Sequence, residues 1–206
     1  MKRTITANTA ATAAIATALL CPLEAAAANT WNQQPAEVMG IRLGAPIESA
    51  GIPTCDAINE VRGRLSTSAI CFLPRSAPGR PDRTYYTVHN PPDLGAGRQQ
   101  VVIEVAYGQI AGVLLTGRVP NFDKMVTVLE ARYGKPTETV GEETGSRSGG
   151  LATAVSKRWR GDRVTIEAVS PFGSPDEYTV YWSDLSTQAR REAQLARDSA
   201  RIADKL

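Results

Sequence analysis

His89 is the only histidine in this chain of 206 residues, which removes most acid–base and metal chemistry from consideration. It stands at the end of a strand-like stretch, before Asn90-Pro91-Pro92, where a hydrogen-bonded surface role is expected. A Ser-His-Asp set would need it, yet no serine occupies a Gly-x-Ser-x-Gly elbow. Gly145-Ser146-Arg147-Ser148-Gly149 shares only the composition of such an elbow and reads as a linker. Gly134-Lys135 lacks the earlier glycine of a P-loop and follows a helical pattern that a P-loop would precede. Glu142-Glu143 and Asp176-Glu177 are acidic pairs in loop-like sequence. Adjacency of this kind does not bring two carboxylates together across a cleft. No catalytic residue, metal ligand set or cofactor is assigned.

Two constellations remain. Lys157-Arg158-Trp159-Arg160, with Arg163 across a turn, places an aromatic among cations, and Arg158, Arg160 and Arg163 form the candidate binding surface. Strand alternation would put Trp159 on the core side and Arg158 and Arg160 toward solvent, as on any half-buried strand. Cys55 and Cys71 are the second constellation. A bridge between them would close a loop of about 15 residues, worth ~3 kcal/mol by chain entropy. The competing states are two buried free thiols, or a zinc site, for which two cysteines and a distant His89 are too few ligands. The disulfide is expected.

That expectation agrees with the start of the chain. Lys2 and Arg3 precede an apolar run of about 11 residues, Ala10 to Leu20, too short to span a bilayer. Ala25-Ala26-Ala27-Ala28 follows, so residues 1–28 read as a secretory signal cut after Ala27 or Ala28. The product is then periplasmic or secreted, where disulfides persist. Cys21 sits where a lipoprotein carries its acylated cysteine, but Leu20 and Ala18 stand in the reverse of the lipobox order and Pro22 follows. Lipid anchoring is therefore not expected. No later segment has eighteen consecutive apolar residues, so no membrane span is expected in the mature form. The full chain carries 23 basic and 21 acidic residues, a formal charge of +2, which is no footprint for nucleic acid.

The remaining chain reads as one α+β domain over residues 29–184, followed by a C-terminal helix over 185–206. Trp31 is a candidate core anchor. Val38 to Leu43 reads as a strand ending at Gly44, and Pro46 opens a short helix with Ile47 and Ala50. Further strands are expected at Ala69–Leu73, Tyr85–Val88, Val101–Tyr107 and Ile110–Thr116, with a turn at Gly108-Gln109. Apolar on both sides, the Ile110–Thr116 strand belongs in the middle of the sheet. Asn121 caps a helix whose Phe122, Met125, Val126, Leu129 and Tyr133 recur at spacings of three and four, ended by Gly134 and Pro136. Strands follow at Thr137–Val140, around Val155 and Trp159, at Val164–Ala168 and at Tyr178–Trp182. Residues 74–84 and 142–150 read as exposed loops. The last helix, capped by Asp184 or Ser186, has only a thin apolar stripe of Leu195, Ile202 and Leu206 completed by Ser199, so light packing is expected. The predicted architecture is a mostly antiparallel sheet of six to eight strands packed on one amphipathic helix, with a helical tail.

Met39-Gly40-Ile41-Arg42-Leu43-Gly44, the Cys55/Cys71 pair, Tyr107-Gly108, Arg132-Tyr133-Gly134-Lys135-Pro136-Thr137 and Trp159 together resemble small exported proteobacterial proteins of unknown function. A fainter similarity touches small outer-membrane assembly proteins, which share a Leu-Gly before a short helix and a Tyr-Gly-Lys-Pro helix end but carry a lipobox. These are structural motifs; the resemblance implies a compartment and carries no catalytic residue. The expected function is non-enzymatic: binding or supporting an envelope protein or glycan. The alternative is an enzyme or enzyme inhibitor acting on envelope glycans through loops 74–84 and 142–150.

Overall fold

The computed structural model describes residues 31–55, 60–61, 64–65, 69–75, 82–145 and 151–203. The expected secretory segment, Cys21 included, lies outside the described residues, as do residues 76–81 and 146–150 of the two expected loops. The strands, in order, are β1 (Glu37–Val38), β2 (Ile41–Arg42), β3 (Glu60–Val61), β4 (Arg64–Leu65), β5 (Cys71–Arg75), β6 (Arg83–His89), β7 (Gln99–Ala106), β8 (Gln109–Arg118), β9 (Glu138–Gly145), β10 (Leu151–Arg160), β11 (Val164–Ser170) and β12 (Glu177–Asp184). The helices are α1 (Phe122–Tyr133) and α2 (Leu185–Ala203). Eight strands form one antiparallel sheet in the order β5-β6-β7-β8-β12-β11-β10-β9, and β1-β2 and β3-β4 are separate two-stranded ribbons.

The fold is thus α+β, as the hydrophobic pattern predicts. One face of the main sheet carries Val101, Ile103, Val105, Val113, Leu115, Tyr178, Val180, Trp182, Ile166, Ala168 and Trp159, all buried. The apolar stripe of α1 joins this core. Helix and sheet are joined most firmly at the end of α1. Trp159 Nε1 donates to Gly134 O at 2.8 Å and Trp31 Nε1 donates to Tyr133 O at 2.8 Å, so two indoles satisfy terminal carbonyls that the helix leaves open. The Trp31 ring meets Tyr133 edge-on at 6.0 Å.

β8 lies at the centre of the sheet, as expected, buried on the face toward α1 and part-buried at Leu114 and Thr116 on the other. Two of its glycines have steric reasons. A Cβ on Gly112 would lie 2.6 Å from the Tyr181 ring, and one on Gly117 would lie 2.5 Å from the Tyr178 ring. The tyrosines of β12 therefore lie across β8, one on each face.

Several boundaries differ from expectation. Residues 38–43 are not one strand but the β1–β2 ribbon, because Met39 and Gly40 adopt φ of 52° and 81° and reverse the chain. The β7–β8 turn is Tyr107-Gly108, not Gly108-Gln109, and Gln109 pairs with Ala106. Asn121 holds the N-cap position without a capping side-chain bond, because a 3-10 turn over Val119–Asn121 leads into the helix. Residues 142–145 are strand, paired with 151–154, although their polar sequence reads as loop. An edge strand needs no apolar alternation when its backbone bonds are met on one side.

The two sheet edges are blunted differently. On β5, Pro74 has no N–H to offer, and the segment around Thr54 covers Phe72 through Cys55 N–H to Phe72 O at 2.9 Å and Phe72 N–H to Pro53 O at 3.1 Å. The Cys55–Cys71 disulfide locks that cover in place. On β9 the acidic Glu138 discourages pairing. Removing the disulfide as Cys55→Ala/Cys71→Ala is expected to lower unfolding free energy by about 3 kcal/mol in urea titration. An unchanged midpoint would show that the bridge constrains nothing.

Candidate functional site

The candidate cations lie at one end of the sheet, and two of them, Arg158 and Arg160, are already engaged by carboxylates. Arg158 Nε donates to Glu167 Oε1 at 2.7 Å and its Nη1 lies 3.7 Å from Glu138. Arg160 reaches Glu138 Oε2 through Nε and Nη2, both at 3.0 Å. Arg163 stands beyond the Gly161-Asp162 turn, where its backbone N–H donates to Gln34 Oε1 at 2.9 Å. With Asp184 and Leu43 it borders a cavity of about 80 Å³. Trp159 is wholly buried, so the aromatic the sequence placed among these cations offers no stacking face. Arg158 and Arg160 are two cations bridged by two carboxylates on a half-exposed strand.

A larger feature lies at the opposite end of the sheet. A groove of about 970 Å³ opens where β6 and β8 end and β7 and β12 begin, walled by the Asn90–Asp93 loop. Strand register places its residues in two rows on the face turned away from α1. Gln100 pairs with Thr116, and Thr116 with Thr179; Val88 pairs with Val101, so His89 stands beside Gln100 one step on. The first row of groove residues therefore reads His89, Gln100, Thr116, one from each of three adjacent strands, and beyond the groove it runs on to the buried Thr179 of β12. Arg118 pairs with Glu177, and Gln99 with Gly117, which sets Arg98 beside Arg118. The second row reads Arg98, Arg118, Glu177.

Local bonds fix this geometry. Asp93 accepts from Gly95 N–H at 2.8 Å, and Asn90, at φ 51°, donates through Nδ2 to Ala69 O at 3.1 Å, so the wall is tied to the β5 side. Val119 N–H donates to Asp176 O at 2.9 Å and closes the β8–β12 side. Arg98, Gln100 and Arg118 are exposed. Among the described residues, no carboxylate forms an ion pair with Arg98 or Arg118 within 4.0 Å. His89 does reach this groove, as the side chain of one floor position. Sequence reading missed the other members, because Arg98, Arg118 and Glu177 are distant in the chain and only register joins them.

It also missed a charged network toward the far end of the same face. Glu104, buried in mid-strand, is met by the Arg83 guanidinium and by Tyr181 Oη, the latter at 3.0 Å. Asp82 accepts from Arg191 Nε at 2.7 Å, and this bond holds its carboxyl below the usual range. Arg190 Nη1 donates to Gln109 Oε1 at 2.7 Å, and Asp184 caps α2 by accepting from Thr187 N–H at 2.8 Å. Helix α2 therefore meets the sheet through Arg190 and Arg191, while Gln194 donates to Asp198 within the helix at 3.3 Å. Leu195 is 40% exposed and Ser199 is exposed; the Ile202 side chain and Leu206 lie outside the described residues. The sheet end under α2 presents Asp82 and Gln109, so polar contacts are what a helix there can make.

Burial pushes the Tyr181 phenol well above its ordinary range, with the Glu104 carboxylate adding to the effect, and burial alone pushes Tyr178 up to about 12. Both groups stay protonated in the folded chain when unfolded tyrosine ionises near pH ~10. The unfolded state then binds fewer protons, so stability falls as pH rises from about 10 through 12, by up to ~1.4 kcal/mol per pH unit for each group. Urea unfolding across that window should show the decline, and Tyr181→Phe should flatten it. An identical slope in the variant would contradict the assignment.

Comparison of the chain with family models, curated proteins and solved structures returns no match.

Proposed function

We propose that this is a non-enzymatic protein of the periplasm that holds a cell-envelope partner in the groove at the β6–β8 end of its sheet. The groove itself carries the proposal. Its floor takes a hydrogen-bonding side chain from each of three strands, its two guanidiniums have no ion-pair partner among the described residues, and its rim is fixed by hydrogen bonds of Asn90, Asp93 and Val119. A rigid, concave, polar surface of this size suits recognition of a partner. The secretory reading of residues 1–28, the resemblance to exported proteins and the Cys55–Cys71 bridge support the compartment. Among the described residues, no helix is long and apolar enough to cross a membrane.

A photo-crosslinking residue at Gln100 tests this directly in exporting cells. A discrete cross-linked product is expected from Gln100, and none from the same probe at Arg160. Equal products from both positions, or none from either, would overturn the proposal. So would turnover of an envelope glycan by purified protein that is lost in His89→Ala.

A further inference from the structure

We infer that the groove binds a peptide segment carrying an aspartate or glutamate side chain, with the carboxylate seated between Arg98 and Arg118. This inference rests on the binding function proposed above and adds the chemistry of the ligand. Arg98, immediately before β7, follows the Gln99–Gly117 pair to the position beside Arg118 at the end of β8, one row above the floor, and both arginines are exposed. Two like charges side by side repel, and an oxyanion between them relieves the repulsion. Guanidinium forks suit the planar carboxylate, which accepts paired hydrogen bonds from each.

The rest of the lining selects among anions. Asp93 and Glu177 balance the two arginines in formal charge. A doubly charged phosphate would therefore meet nearby carboxylates, whereas a single carboxylate is matched by the arginine pair alone. Glu177, Gln100 and Thr116 call for hydrogen-bond donors as well as acceptors, and an extended peptide supplies both along its backbone. No phenylalanine, tyrosine or tryptophan lines the groove among the described residues, so sugar rings and bases lack a broad stacking platform. Pro91 and Pro92 add a flat apolar wall against which an extended segment can lie.

Nuclear magnetic resonance titration of the labelled exported protein tests the inference, using blocked alternating Gly/Glu, Gly/Gln and Gly/Lys peptides. The Gly/Glu peptide should shift amides of His89, Arg98, Gln100, Thr116 and Arg118, less strongly as salt is raised. Arg98→Gln and Arg118→Gln should each weaken binding roughly tenfold, while Arg158→Gln/Arg160→Gln should leave it unchanged. All four side chains are at or near the surface, and circular dichroism would verify that the variants fold. Equal shifts from the Gln or Lys peptide would remove the acidic preference and leave the groove a peptide site. No shift in the groove with any peptide, or shifts centred on Arg158 and Arg160, would overturn the inference. The cross-linking experiment judges the binding function separately.

Discussion

Trp159 and Trp31 donate their indole N–H groups to the carbonyls of Gly134 and Tyr133, and these two bonds hold the end of α1 against the sheet. Much of the arrangement follows from them. A helix C-terminus buried with open carbonyls is costly. Here the donors come from β10 and from the entry segment, elements far apart in sequence. The helix stripe, the entry segment and strands from both halves of the sheet are thereby committed to one core, with Trp159 and Trp182 among its largest fully buried side chains. Placing the apolar layer on one side leaves the other side of an antiparallel sheet to polar work.

That second side is divided along the strands. Toward one end Glu104, Arg83 and Tyr181 form a closed network beside Asp82 and Arg191 of α2. Burial of an ion pair in this way adds little net stability but strongly disfavours alternatives that would strand one charge. Among β9, β10 and β11, Arg158, Arg160, Glu138 and Glu167 satisfy one another. The groove differs in that its cations and floor side chains face solvent. The proposed function is assigned to the groove because the clusters of Glu104 and of Arg158 have internal partners, whereas the groove's two guanidiniums have no ion-pair partner among the described residues.

The covered face was plain in the sequence because burial imposes a period: Val164, Ile166 and Ala168, or Phe122 through Tyr133, announce their elements unaided. The disulfide was legible from the cysteine count and the compartment the sequence leads one to expect, and the bridge is where expected. Polar strand residues gave no such signal. Glu142–Gly145 lacks alternation because an edge strand is held by backbone bonds, and Met39-Gly40 hides a reversal that depends on positive φ. The groove was illegible for a stronger reason. Arg98, Arg118 and Glu177 become neighbours only through the pairing of β7, β8 and β12, a property of register and not of any local run.

The central claim is that Arg98 and Arg118 are occupied by a partner where the protein works. Arginine-specific dicarbonyl labelling, read by mass spectrometry, measures this in intact cells against purified protein. Arg98 and Arg118 should react freely when purified and be protected in cells, while Arg160 reacts alike in both. Equal labelling of Arg98 and Arg118 in the two settings would contradict the account.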